Sequence, residues 1–359
     1  MSAAPTPLIG LITDEIAARG PMTVARFMEL ALGHPEYGYY RTRDPLGRGG
    51  DFITAPEVSQ MFGELIGLWA AVVWEQMGRP APFILAELGP GRGTLMNDAL
   101  RAARAMDGFV EAARLHLVET SPVLRAHQGE TLTAHAPAWA DRIEDLPPGP
   151  AIIIANEFFD ALPVRQFVRQ SGDWFERLVV SDGDDFDFTT GREAIADADL
   201  PADAPEGAVV EKTETAAALM GTLAARLVRE GGAALIIDYG HTGGVGDTLQ
   251  ALRAHQHVDP LTTPGEADLT THVDFAQLAR AAHAAQARTF GPVGQGNFLL
   301  MLGLAHRAER LAAGKDRETR EKIEAATRRL IARSEMGTLF KALAVTAPAL
   351  AAPPGFENT

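Results

Sequence analysis

Four apolar runs in this chain end in or beside a carboxylate or an amide. Glu87 closes residues 83–87, Glu119 follows Leu115-His116-Leu117-Val118, Asn156-Glu157 follows residues 151–155, and Asp238-Tyr239 follows residues 234–237. Short, wholly apolar runs of this kind form buried parallel strands, and an open parallel sheet collects its ligands at the carboxyl ends of its strands. The first run leads into Gly89-Pro90-Gly91-Arg92-Gly93, and a helical pattern of Leu95, Met96, Ala99, Leu100 and Ala103 follows at once. Glycine belongs in such a turn because it takes positive φ and lets a ligand approach the backbone closely.

The acids select among ligands. The glycine spacing is G-x-G-x-G, whereas the dinucleotide fingerprint is G-x-G-x-x-G. A carboxylate at Glu87 would repel the pyrophosphate that a dinucleotide brings to this turn, and it suits an ammonium or sulfonium group instead. Glu119, at the end of the second strand, is placed to accept the two hydroxyls of a ribose. Acid, glycine turn and second acid together point to S-adenosylmethionine. At the third strand end many amine-methylating enzymes carry Asn-Pro-Pro-aromatic, and here the sequence reads Asn156-Glu157-Phe158-Phe159. A carboxylate at Glu157 matches a guanidinium with two parallel hydrogen bonds, and Asp160 could complete the clamp. Tyr239 and His241 are candidates for lining an acceptor pocket. His255, His257 and His272 lie in one loop-like region without a tight ligand motif, so no metal site is expected.

These residues need a scaffold. The chain has 359 residues, 46% of them hydrophobic, enough for one large domain with additions or two smaller ones. Two amphipathic helices open it, and an apolar helix carries Met61, Phe62, Leu65, Leu68, Trp69, Val72, Val73 and Met77. Thr54 and Glu57 have the spacing of a capping box. The organisation expected is an N-terminal helical segment over residues 1–79 packing on the core, then a Rossmann-like α/β domain over residues 80–359. Insertions are expected near residues 165–208 and 242–272. The first begins as an antiparallel hairpin and continues as an acidic, mobile loop over residues 182–205; the second is loop-like. Residues 298–302 and 339–345 read as the last strands.

Composition excludes several classes. There is no cysteine, which removes disulfides, thiolate zinc sites and cysteine nucleophiles. A formal charge of −15 argues against nucleic acid as partner. No apolar run approaches the ~20 residues that span a bilayer, so no membrane insertion is expected. Residues 1–13 lack arginine and the order of a secretory signal, which reads as a cytoplasmic, bacterial-like chain.

At this point the sequence resembles a known family. Residues 50–64 (G-D-F-I-T-A-P-E-V-S-Q-M-F-G-E), the turn from Glu87 to Gly93, residues 156–163, residues 237–241 and Gln295-Gly296-Asn297-Phe298-Leu299 together look like the MidA family. These are class I methyltransferases related to the mitochondrial arginine methyltransferase that assists respiratory complex I assembly. The resemblance implies a Rossmann-like class I methyltransferase sheet and S-adenosylmethionine held by Gly89, Pro90, Gly91 and Gly93, with Glu87, Glu119 and Asn156 beside them. Residues 51–63 would close over the cofactor, with Thr54 and Phe62 as contacts. The resemblance also implies protein arginine as acceptor and a subunit of respiratory complex I as the partner; on the guanidinium chemistry above, Glu157 and Asp160 are the expected catalytic residues. A homodimer is left open. The rival readings are a non-catalytic assembly factor that keeps the methyltransferase fold, a nicotinamide-dependent oxidoreductase and a nucleic-acid methyltransferase.

Overall fold

The computed structural model describes residues 6–42, 54–197 and 199–357, which form two compact units. One is drawn from Ile53–Phe159, Leu219–Thr242 and Val273–Thr359; the other from Met1–Phe52, Asp160–Ala218 and Gly243–His272.

The first unit is built on an eight-stranded sheet. Its strands in chain order are β1 (Phe83–Leu88), β2 (Ala113–Val118), β3 (Ala138–Ala140), β4 (Ala151–Asn156), β5 (Gly232–His241), β6 (Val273–Asp274), β7 (Arg288–Gly294) and β8 (Phe340–Thr346). Their order across the sheet is β7-β8-β5-β4-β1-β2-β3, with β6 paired to the end of β5. Strands β1 to β5 run parallel, and β8 is antiparallel to both of its neighbours. Every residue of β1 and β4 is buried, which is why both read as unbroken apolar runs. The topology reverses between β1 and β4, and Glu87 and Asn156 stand at that switch point.

Four helices flank the switch point: α1 (Ala55–Val58), α2 (Gln60–Gln76), α3 (Thr94–Ala103) and α4 (Pro122–Thr131). The expected capping box at Thr54 does not form. Thr54 makes no side-chain cap, and Glu57 instead accepts the Thr94 hydroxyl at 2.8 Å. The helix restarts one residue after α1, where Ser59 caps α2 by accepting the Met61 N–H. Helices α2 and α3 pack so closely that a Cβ on Gly67 would lie 2.1 Å from the Ala99 carbonyl oxygen. Beside that contact the buried Glu64 carboxylate takes two hydrogen bonds from Arg307, at 2.7 and 3.0 Å, and one from Arg101 at 2.9 Å. A buried carboxylate is tolerated because three charge-assisted bonds replace its water.

One further reading of this unit and two of the other are corrected. Residues 298–301 lie in the helix Gln295–Met301; Gln295, Phe298 and Leu299 are buried at helical spacing, a period that a short apolar run cannot reveal. Phe340–Thr346 is the strand that the pattern anticipates. In the second unit the hairpin Arg165–Gln170 and Asp173–Asp182 turns at Ser171-Gly172 as expected. The acidic stretch after it, however, holds a third strand, Asp185–Ala194, paired along Asp173–Asp182. Phe186 packs edge-on to Phe27 and Arg177 lies over Phe188, so these two aromatics outweigh the acids around them. Residues 242–271 are likewise not a plain loop, for they contain a three-stranded antiparallel sheet of Gln250–Arg253, Gln256–Val258 and Asp268–Thr270.

Candidate active site

The glycine turn begins where β1 ends. Gly89, Gly91 and Gly93 all have positive φ, at 59°, 54° and 81°, and Gly93 is the N-terminal cap of α3. A Cβ on Gly89 would sit 2.8 Å from Cδ2 of Phe158, and one on Gly93 would sit 3.1 Å from Leu132 Cδ1. At Gly89 and Gly93, neighbours already fill the space that a side chain would take.

Two buried acceptors face the switch point without a hydrogen-bond partner: Oε2 of Glu87 and Oδ1 of Asn156. Glu87 is 3% exposed, and burial alone raises its carboxyl from 4.5 to about 8. Strands β1 and β4 align Leu88 with Ala155, so Glu87 precedes and Asn156 follows one registered pair. Leaving such groups unsatisfied costs about 1–3 kcal/mol each. They fit a ligand that brings hydrogen-bond donors and positive charge, as the ammonium and sulfonium of S-adenosylmethionine do. They do not fit a pyrophosphate.

Glu119 follows directly on β2 and is buried. Its Oε1 accepts the Ser121 N–H at 2.7 Å and its Oε2 accepts Nε2 of Gln128 at 3.3 Å. Burial raises its carboxyl, opposed by hydrogen bonds from Ser121, Gln128 and Thr120. Glu157 sits just past β4 in the left-handed region, φ 50°, and its Oε1 accepts from Ala55 N at 3.0 Å and Asn156 Nδ2 at 3.1 Å. Thus Glu157 tethers the start of α1, and Glu57 tethers the same helix to Thr94 of α3. Residues 51–53, the start of the expected closing segment, lie outside the described residues.

The fully buried Asp238 fixes the loop after Glu157. Its Oδ2 accepts the N–H groups of Phe158 at 3.2 Å and Phe159 at 3.0 Å. From sequence alone Asp238 is a carboxylate at a strand end with no assigned role, and Gln128 is not distinguished at all. The only sequence sign of Asp238 is a carboxylate ending an apolar strand; Gln128 carries none, because a buried glutamine in a helix looks like a solvated one.

The remaining candidates are spread more widely. Thr54 is buried at the entry to α1, while Phe62 is fully buried in the apolar core with Leu85 and Leu95. Tyr239 is half-buried with its ring 5.3 Å from Phe340, and His241 pairs in register with Asp274. Asp160 belongs to the other unit, where its carbonyl accepts from Thr271 N at 2.9 Å. There the hydroxyl of the half-buried Tyr40 donates to Asp268 at 2.6 Å and is raised well above its ordinary value, by loss of solvent first and then by Asp268 and Asp160.

A parallel sheet with an antiparallel last strand, a bare glycine bend and two buried acids at neighbouring strand ends define a class I methyltransferase. Comparison with known proteins agrees. The family model described as "Putative S-adenosyl-L-methionine-dependent methyltransferase" matches residues 65–293. The chain belongs to that family, the MidA-type S-adenosylmethionine-dependent methyltransferases. It is 40% identical to the protein arginine methyltransferase NDUFAF7 homolog, mitochondrial, of Drosophila melanogaster, over 94% of this chain and 84% of the relative. It is 37% identical to the protein arginine methyltransferase NDUFAF7, mitochondrial, of Danio rerio, over 93% and 85%. A Burkholderia thailandensis protein solved with S-adenosyl-homocysteine bound superposes with a TM-score of 0.85 at 29% identity, over 100% of this chain and 98% of the other.

The expectation of a cytoplasmic protein is corrected by the same comparison, since the curated relatives are named as mitochondrial. Net charge and the make-up of residues 1–13 reflect solubility and one class of signal; neither fixes the compartment. No helix among the described residues is long and apolar enough to cross a membrane.

Proposed function

We propose that this methyltransferase modifies the side chain of arginine in a protein, and that its substrate is a subunit of respiratory complex I. The relatives named as arginine methyltransferases support the acceptor, and the MidA resemblance supports the partner. For the cofactor site, the observation that carries the reading is the pair of orphaned buried acceptors, Glu87 Oε2 and Asn156 Oδ1, beside the bare glycine bend. S-adenosylmethionine, when bound, supplies a methyl group activated on a sulfonium sulfur. In this reading Glu87 and Asn156 take the donors and positive charge of the cofactor, the bend from Gly89 to Gly93 admits it against the backbone, and Glu119 accepts from its ribose. Thr54 belongs to the entry of the closing helix α1. Glu157 holds the guanidinium and concentrates its charge on the nitrogens away from the methyl donor.

The test compares arginine methylation of complex I subunits, by mass spectrometry, in cells with and without this protein, alongside transfer by the purified protein from tritiated cofactor. Loss of a subunit-specific methylarginine on deletion, restored by the wild-type gene, supports the reading. Tight binding of a partner with no transferred label would mean a non-catalytic assembly factor.

The raised Glu87 carboxyl makes binding pH-dependent. Its folded value, about 8, lies above its ordinary 4.5, so the fold gains from the protonated form at low pH and loses that gain as pH rises toward 8. A cationic ligand favours the ionised form, so binding at about pH 6.5 releases up to one proton, and affinity rises toward a plateau near pH 8. Calorimetry with S-adenosylhomocysteine, which keeps the ammonium, should give a binding enthalpy that varies with buffer ionisation enthalpy in wild type and not in Glu87→Gln. A wild-type enthalpy independent of buffer would rule out Glu87 as the acid that meets the cation.

A further inference from the structure

Gln128 lies on α4, yet none of its side chain is exposed, and its amide touches three separate parts of the site. Nε2 donates to the carbonyl oxygen of Gly91, in the middle of the glycine bend, at 2.7 Å, and to Glu119 Oε2 at 3.3 Å. Oε1 accepts the indole N–H of Trp139 at 2.8 Å. An indole nitrogen can only donate, so the atom it meets must be the amide oxygen, and the NH₂ end must face the two acceptors. Trp139 thereby fixes which way the amide points. The indole ring is held in turn against α4, where a Cβ on Gly129 would lie 3.7 Å from it.

We propose that Gln128 is the positioning residue of the cofactor site, a neutral double donor that locks the glycine bend to the acid at the end of β2, with Trp139 setting its orientation. The physical need is specific. The Gly91 carbonyl and the Glu119 carboxylate are both acceptors and would repel each other across a closed pocket; a residue between them must offer two donors and carry no negative charge. Arg125 could have supplied donors, but its guanidinium is engaged with the Glu119 backbone carbonyl, the Ala140 carbonyl and the Asp141 carboxylate. Gln128 satisfies Oε2 while Ser121 N satisfies Oε1, so the Glu119 carboxylate is held in one orientation before any ligand arrives. That pre-orientation removes an ordering cost that binding would otherwise carry.

This inference rests on reading Glu119 as the acid that faces the cofactor, and the experiment separates the two. Binding of S-adenosylhomocysteine by calorimetry, and KM for S-adenosylmethionine against kcat, are measured for Glu119→Gln, Gln128→Met, Gln128→Glu and Trp139→Phe. Gln128→Met fills nearly the same volume without donors and should weaken binding about 10-fold, whereas Gln128→Glu sets a third acceptor against the other two and should weaken it about 100-fold. Trp139→Phe frees the amide to turn and should cost about 3-fold. In each the loss appears in KM, with kcat within about 2-fold of wild type. A role in filling space alone predicts that Gln128→Met and Gln128→Glu bind alike, and equal affinities would overturn the proposal. If Gln128→Glu does not fold, Gln128→Met and Trp139→Phe decide: wild-type affinity in both overturns it. Normal binding by Glu119→Gln would instead sink the assignment of Glu119 itself.

Discussion

Gly89→Ala is expected to abolish useful cofactor binding, with S-adenosylhomocysteine affinity falling about 30- to 100-fold. Two costs add at this position. A left-handed φ of 59° disfavours any residue with a Cβ by about 1–2 kcal/mol. The new methyl also meets Phe158 Cδ2 at 2.8 Å, and the ring cannot simply retreat, because Asp238 holds the backbone N–H of Phe158 and of Phe159. Moving the ring drags the loop that carries Glu157. Gly183→Ala is the control. Its φ is 64° and nothing lies within 4 Å of the added Cβ, so it suffers the same backbone strain without the collision. Gly183→Ala should lose about 1 kcal/mol of stability in chemical denaturation and keep wild-type affinity; Gly89→Ala should lose both. Equal affinity in the two variants would mean that the bend tolerates a side chain and that Phe158 does not press on it.

The reason Gly89 could be singled out from sequence, while Asp238 and Gln128 could not, lies in the range of the forces that place them. A strand, a glycine turn and the helix after it are local: burial on both faces demands an apolar run, and the turn demands positive φ. Both leave marks within a dozen residues. Glu87 and Glu119 follow because the turn fixes where strand ends must be. Asp238 meets the backbone of Phe158 across 80 positions of chain, and Gln128 meets Gly91 across 37. Only the register of β4 with β5, and of α4 against the bend, brings those partners together, and no local pattern encodes it. The misread segments follow the same division. The helix at Phe298 and the strand at Phe186 take their form from packing partners distant in sequence, Phe356 for the one and Phe27 for the other. Local propensity gave way there to tertiary burial. The proposed guanidinium clamp is a partial case. Glu157 could be picked out as an acid in an unusual place, but its tether to Ala55 could not.

That tether sharpens what Glu157→Gln should do. Oε1 of Glu157 already accepts from Ala55 N and Asn156 Nδ2, so the proposed role of presenting negative charge is separable from its anchoring of the start of α1. A glutamine keeps an oxygen for both donors and removes only the charge. The expected result is S-adenosylhomocysteine affinity within about 3-fold of wild type and methyl transfer to arginine down about 100- to 1000-fold. Glu157→Ala removes both jobs and should lose transfer and affinity together, since the helix that begins at Ala55 is no longer held. The backbone supplies an independent check. Glu157 sits at φ 50°, a conformation that costs a residue with a Cβ about 1–2 kcal/mol, and neighbours keep it there: its own N–H donates to Ile237 O at 2.9 Å, and Asp238 holds the next two. Glycine would relieve that strain, so Glu157→Gly should match or exceed wild type in thermal stability despite losing two half-buried polar contacts, while transferring no methyl group. A fold that is easier to hold without Glu157 than with it is what a strained functional residue predicts. If Glu157→Gln transfers methyl at the wild-type rate while Glu157→Ala does not, the residue is an anchor for α1 alone, and the charge that orients the acceptor must come from elsewhere.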